Sequence, residues 1–226
     1  MKREIITTAD GSSTIHLPDW NEQYHSKHGA IQEAYHVFIK HGLHHFCHSE
    51  RSEESQEIAI LEIGFGTGLN AFITYLETEN SNIKIDYVGV EGYPVSNKEI
   101  ELLNYTSELK QEGKDQIFKM LHNCSWEDKH RISRHFTLAK QQKMFDKIDD
   151  VNAFNLIYFD AFGARVQPEL WTEAIFKIMY TALKQNGVLV TYAAKGSVRR
   201  AMEAVEFTVE RLPGPPGKRE MLRATK

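Results

Sequence analysis

Ile58-Ala59-Ile60-Leu61-Glu62-Ile63-Gly64-Phe65-Gly66-Thr67-Gly68-Leu69-Asn70 is the stretch whose reading decides the fold. A short isoleucine-rich run has the composition of a buried strand, and it empties into three glycines at alternate positions before an apolar helical pattern resumes. Glycine permits positive φ and carries no Cβ, so the backbone can turn sharply at the strand end and lie flush against a ligand. The spacing then selects among ligands. A dinucleotide turn would read G-x-G-x-x-G with pyrophosphate at the helix N-terminus, whereas here Glu62 stands ahead of Gly64, Gly66 and Gly68 as Glu-x-Gly-x-Gly-x-Gly. An acid at that point has no use toward a polyphosphate and suits a cationic ligand.

Working outward, 226 residues with 41% hydrophobic composition suffice for one sizeable domain with a small appendage. No run reaches the roughly 18 apolar residues of a membrane span, and Met1-Lys2-Arg3-Glu4 leads into polar residues rather than a signal-peptide core, so a cytoplasmic protein without membrane contact is expected. Cys47 and Cys124 lie far apart with no CxxC pairing, which supports neither a disulfide framework nor a zinc ribbon. The net charge of -4 argues against a protein that coats nucleic acid by charge alone. Residues 195–226 nevertheless hold eight basic residues against four acids, a face that could meet a polyanion.

Ahead of the glycine turn, residues 5–8 and 14–17 read as a small hairpin around Asp10-Gly11, and a helical pattern runs through Glu33, Val37 and Phe38. Eight of the eleven histidines fall between His16 and His48, yet no carboxylate or paired cysteine completes a ligand set, so no metal is expected. Residues 48–57 are rich in serine and glutamate and read as a solvated linker. The expected organisation is therefore an N-terminal extension and linker over 1–57 and a main domain over 58–226.

Beyond the turn, Leu69, Phe72, Ile73 and Leu76 mark a helix. Residues 83–91 form a second strand ending in Glu91, and a helical stretch follows to about Leu109. Residues 136–139 read as a third strand, 155–160 as a buried strand ending in Asp160, 168–184 as a helix, and 188–192 as a strand. Two final strands, near 207–210 and 219–224, must pair nearly antiparallel. An acid at the tip of the second strand is placed to accept both ribose hydroxyls of a nucleoside, which gives Glu91 that expected role. Glu-x-Gly-x-Gly-x-Gly resembles the first motif of Rossmann-like methyltransferases, whose S-adenosylmethionine carries a sulfonium and an ammonium group. Such a cofactor brings its own reactivity, so the protein has mainly to position a nucleophile and relieve an amine of its proton. Asp160, at a ligand-facing strand end, is the candidate for that work.

Four segments together resemble the bacterial tRNA (5-aminomethyl-2-thiouridine) methyltransferase family: residues 8–12 with Tyr24-His25-Ser26 and Gly29-Ala30; residues 62–70; Phe159-Asp160-Ala161-Phe162 with residues 167–172; and Lys195-Gly196 with Val198-Arg199-Arg200, then residues 212–221. The resemblance implies an α/β fold, a Rossmann-like class I methyltransferase with a doubly wound, mostly parallel seven-stranded sheet, a C-terminal antiparallel strand and a small N-terminal extension. It implies methyl transfer from S-adenosylmethionine to the exocyclic amine of 5-aminomethyl-(2-thio)uridine at the tRNA wobble position. The implied cofactor contacts are Glu62, Gly64, Phe65, Gly66, Thr67, Gly68, Asn70, Glu91, Tyr24 and Ser26. Gln142 stands where the family has an acid toward the adenine amino group, and its carbonyl can accept the same hydrogen bond. Lys195, Arg199, Arg200, Lys218 and Arg219 would meet tRNA phosphates, and Phe162 would stack on the wobble base. Gly163-Ala164 replaces the family's Ala-Pro. With nothing after Lys226, the resemblance implies the stand-alone methylating version, with a separate flavin-dependent oxidoreductase acting upstream. Two rival readings share these features: an aminopropyltransferase of the spermidine synthase type, and a catalytically silent protein that binds cofactor and RNA.

Overall fold

The computed structural model describes residues 2–49 and 56–226. Most of the expected linker, residues 50–55, lies outside them. Eleven strands form two sheets among the described residues. β1 (Glu4–Thr7), β2 (Ser13–Leu17) and β3 (Glu22–Gln23) make a small antiparallel sheet, while β4 (Glu57–Ile63), β5 (Lys84–Val90), β6 (Lys129–Arg131), β7 (Phe136–Gln141), β8 (Phe154–Phe159), β9 (Leu183–Thr191), β10 (Thr208–Pro213) and β11 (Glu220–Thr225) make the main one.

The main sheet has the order β10-β11-β9-β8-β4-β5-β7-β6. Its centre is parallel, while the β6–β7 pairing on one side and the β9–β11 and β11–β10 pairings on the other are antiparallel. The sheet therefore has eight strands where seven were expected. The extra strand is β6, three residues held by main-chain pairing to β7 in a segment too polar to announce itself. Both faces of the central strands are buried, which is why β4 and β8 read as nearly continuous apolar runs. On β4, Ile58 and Ile60 join one core while Leu61 and Ile63 join the other.

Five helices cover the faces: α1 (30–49), α2 (Leu69–Thr78), α3 (Asp115–Asn123), α4 (Glu173–Ala182) and α5 (Gly196–Ala204). α1 widens to i→i+5 pairing over Tyr35–His44 and packs Val37, Phe38 and Ile39 into the main core although it precedes the main domain expected over 58–226. Gly42 makes that approach possible, because a Cβ there would stand 3.1 Å from a Val190 methyl and 3.2 Å from the Tyr158 ring. The helical stretch expected up to Leu109 is reduced to single turns at Asn97–Ile100 and Tyr105–Glu108. Asn104 interrupts it, since its side chain accepts the Ser13 N–H and donates to the Gly11 carbonyl. The helix expected over 168–184 divides into a 3-10 turn at Pro168–Trp171 and α4, and β9 starts earlier than its apolar run, with Asn186 at φ 62.

The chain leaves β4 toward β5 and β7 on one side, and later returns to place β8 and β9 on the other. That reversal is a topological switch point, where open α/β sheets bind ligands at their carboxyl ends. The small sheet roofs this end. Arg3 ties it down by donating to the Tyr93 and Pro94 carbonyls, and Arg165 does the same from the opposite side by donating to the Trp20 and Asn21 carbonyls and to Glu22.

Candidate active site

The neighbouring ends of β4 and β8 bring Gly64 and Asp160 together, and the Asp160 N–H donates to the Ile63 carbonyl at 2.9 Å. Gly64, Gly66 and Gly68 all have positive φ, at 89°, 48° and 69°. A Cβ on Gly64 would lie 2.8 Å from the Asp160 carbonyl oxygen, so the loop reaches its position only with bare backbone. A cavity of about 1090 Å³ opens over these strand ends, lined by Gly64, Gly66, Glu91, Asp160, Tyr24 and Phe162 among the expected residues.

Glu91 sits at the end of β5 with both oxygens aimed by main-chain donors: Gly66 N–H to Oε2 at 3.0 Å and Tyr93 N–H to Oε1 at 2.8 Å. Each oxygen keeps a lone pair for a hydroxyl in the cavity. Glu62 lies beneath the floor, fully buried. The Asn70 amide joins it to Asp160, its Nδ2 donating to Glu62 Oε1 and to Asp160 Oδ2, both at 2.9 Å. Burial, reinforced by the charges of Asp160 and Glu91, pushes the Glu62 carboxyl well above its ordinary range. Burial first and the Glu33 charge second push Asp160 up to about 7, against the pull of Asn70 and Lys218.

Other expected residues serve the site from behind. Phe65 is buried against Gly89, His122 and Trp126, and Thr67 is buried with its hydroxyl accepting from Tyr105 at 3.0 Å. Ser26 donates its N–H to Glu33. Gln142 is exposed, with its N–H bonded to Glu127 at 2.8 Å, and does not line the cavity; Met144 and Phe145 do. Phe162 meets Tyr24 and Trp20 edge-on, with centroids at 4.9 and 5.7 Å. Of the basic residues, Lys195, Arg200 and Arg219 are exposed, Arg199 pairs with Glu203 at 2.9 Å, and Lys218 pairs with the buried Glu33. Among the described residues, no three His, Cys, Asp or Glu side chains converge as a metal site, and no helix is long and apolar enough to cross a membrane.

The pattern that defines the S-adenosyl-L-methionine-dependent methyltransferase family represented here matches residues 106–226, more than half of the chain. The chain belongs to that methyltransferase family. Its cofactor is accordingly S-adenosyl-L-methionine, and the site fits it: bare glycine backbone lines one wall, Glu91 presents aimed oxygens, and the cavity is of the size that ligand sites have.

The methyltransferase is 28% identical over 232 residues to the tRNA 5-methylaminomethyl-2-thiouridine biosynthesis bifunctional protein MnmC of Cupriavidus metallidurans, covering 96% of this chain and 33% of that protein. The protein of the same name from Hydrogenovibrio crunogenus is 27% identical, at 97% and 33% coverage. The chain spans about a third of the length of these relatives. The crystal structure of MNMC2 from Aquifex aeolicus shares the fold, with a TM-score of 0.77 at 23% identity, over 99% of this chain and 69% of that one. Spermidine synthase from Thermotoga maritima shares it more distantly, with a TM-score of 0.50 at 14% identity, over 98% of this chain and 72% of that one.

Sequence reasoning missed Arg3, Trp20, Tyr93 and Met144 in the cavity wall, and Glu33 behind it. Arg3 and Met144 had no signal. Glu33 had one: a carboxylate set among Ala30, Ala34 and Val37 on the apolar face of a helix needs a buried partner.

Proposed function

We propose that this methyltransferase acts on tRNA, methylating the exocyclic amine of 5-aminomethyl-(2-thio)uridine at the wobble position to give 5-methylaminomethyl-(2-thio)uridine. The observation that carries the reading is Asp160, a carboxylate raised to about 7 that opens into the same cavity as the glycine loop and Glu91. The names of the MnmC relatives support the same nucleoside.

When bound, the cofactor supplies a methyl group already activated on a sulfonium. Glu91 would hold its ribose hydroxyls, the backbone of Gly64, Gly66 and Gly68 its methionyl arm, and Met144, Phe145 and Tyr93 the adenine. Glu62 acts at one remove, through Asn70. Asp160 would orient the substrate amine by a charge-assisted hydrogen bond and take its proton, freeing the lone pair that forms the N–C bond as the S–CH3 bond breaks and its electron pair passes to the sulfur. A group that titrates near neutrality can accept that proton and release it again. Phe162, Trp20 and Tyr24 offer ring faces and edges to an unstacked base, and Lys195, Arg199, Arg200 and Arg219 would meet phosphates. A separate flavin-dependent oxidoreductase would prepare the aminomethyl group.

The reading is tested by incubating the protein and methyl-labelled S-adenosylmethionine with tRNA from cells lacking the modification, then identifying the labelled nucleoside. Label in 5-methylaminomethyl-(2-thio)uridine is expected. Unlabelled tRNA, or label in another nucleoside, overturns the proposal.

A further inference from the structure

Glu33 is a charged residue in an apolar place, only 5% exposed. Both its oxygens are engaged: Oε2 accepts the Ser26 N–H at 2.8 Å, and Oε1 pairs with Lys218 Nζ. A carboxylate so buried is tolerated when it is paired and hydrogen-bonded in this way. Lys218 arrives from the loop between β10 and β11, 185 residues further along the chain. Its ammonium stands over the Tyr192 ring, 3.6 Å from the centroid, in a cation–π contact. Tyr192 Oη in turn donates to the Ala161 carbonyl at 2.8 Å. Ala161 directly follows Asp160. A continuous path of contacts therefore leads from Glu33 on α1, through Lys218 and Tyr192, to the turn that presents the carboxylate.

Charged and titratable groups reach Asp160 from every side. Glu33 acts from α1, Glu62 from β4, Tyr87 from β5, Tyr105 from beside the glycine loop, Tyr192 from the end of β9, and Lys218 from the C-terminal loop. Lys218 is the cation in that set. Its side chain is half-buried, held between the Glu33 carboxylate and the Tyr192 ring.

We propose that Lys218 is a positioning residue of the transfer site: seated by Glu33 on the ring of Tyr192, it fixes the turn that carries Asp160 and with it the setting of that carboxylate. The catalytic consequence rests on reading Asp160 as the amine's proton acceptor, whereas the coupling of Lys218 to Asp160 stands without it.

The test is a carboxyl ¹³C NMR titration of Asp160, assigned by its loss in Asp160→Asn, in the 226-residue chain and four variants. Lys218→Met should raise the Asp160 midpoint by about one pH unit, because the cation is gone and Glu33 is left unpaired. Glu33→Gln should lower it, because the Glu33 charge that raises Asp160 is gone while the Lys218 cation remains. The double variant should fall between the two singles, and Lys218→Arg should stay near wild type. A role confined to packing predicts lost thermal stability without opposite movements of the midpoint. Singles that shift together, or a Glu33→Gln midpoint that rises or stays put, overturn the proposal. If Lys218→Met does not fold, Glu33→Gln and Lys218→Arg decide alone. The pH profile of single-turnover methyl transfer is then measured on the same proteins. Its acid limb should move with the NMR midpoints; midpoints that move while the limb stays fixed refute the role given to Asp160 and leave the Lys218 coupling intact.

Discussion

Asp160 is pushed up to about 7 from an ordinary value of 3.8, by burial first and by Glu33 second. The sign of the consequence for stability follows from linkage: a group whose folded-state value is raised binds its proton more tightly in the folded protein. Its contribution is fully present at low pH and is lost as pH rises from near 3.8 toward 7. Asp160→Asn removes the ionisable group and with it this loss. Thermal unfolding followed at pH 5 and at pH 8 should show the variant gaining on wild type at the higher pH. An equal difference at both values would mean that Asp160 is not raised in the folded state. Glu62, buried beneath it, keeps its place through the Asn70 amide, which has one proton for each carboxylate.

Among the elements, the glycine loop is the most constrained. Gly64 sits at φ 89 with its Cα against the Asp160 carbonyl, and a methyl there would approach to 2.8 Å. Gly64→Ala forces either the loop or the β8 end to shift, at a cost of about 1–3 kcal/mol. Isothermal titration should show cofactor affinity reduced at least about tenfold; unchanged affinity would show that the loop's path does not matter to binding. This loop was readable in the sequence because everything that makes it is local: an apolar strand, three glycines at fixed spacing and the first turns of a helix. β8 and the β10–β11 hairpin were readable for the same reason. α3 was not, because only Phe118 and Leu121 of its nine residues are buried and five of the other seven are polar. Nor was the Glu33–Lys218 pair, whose partners are joined by tertiary packing over 185 residues and by no local pattern. Gln142 was unreadable for a related reason: it follows the strand, but Glu127, at φ 71, accepts its N–H, and its side chain is exposed outside the cavity.

At the scale of the molecule, the switch in strand order beside β4 gathers Gly64, Glu91 and Asp160 at one end of the sheet, and the N-terminal hairpin, fixed by Arg3 and Arg165, closes over them. Residues 2–49 therefore supply both a core helix and the roof of the site. Lys195 just ahead of α5, Arg200 on it and Arg219 in the β10–β11 loop stand exposed. The central claim is that Asp160 acts on the amine while the rest of the cavity holds the cofactor. Single-turnover methyl transfer to hypomodified tRNA, with cofactor affinity measured on the same samples, tests it in Asp160→Asn. The account predicts transfer slowed by about 10²-fold or more with affinity within a few-fold of wild type, and transfer at the wild-type rate would contradict it.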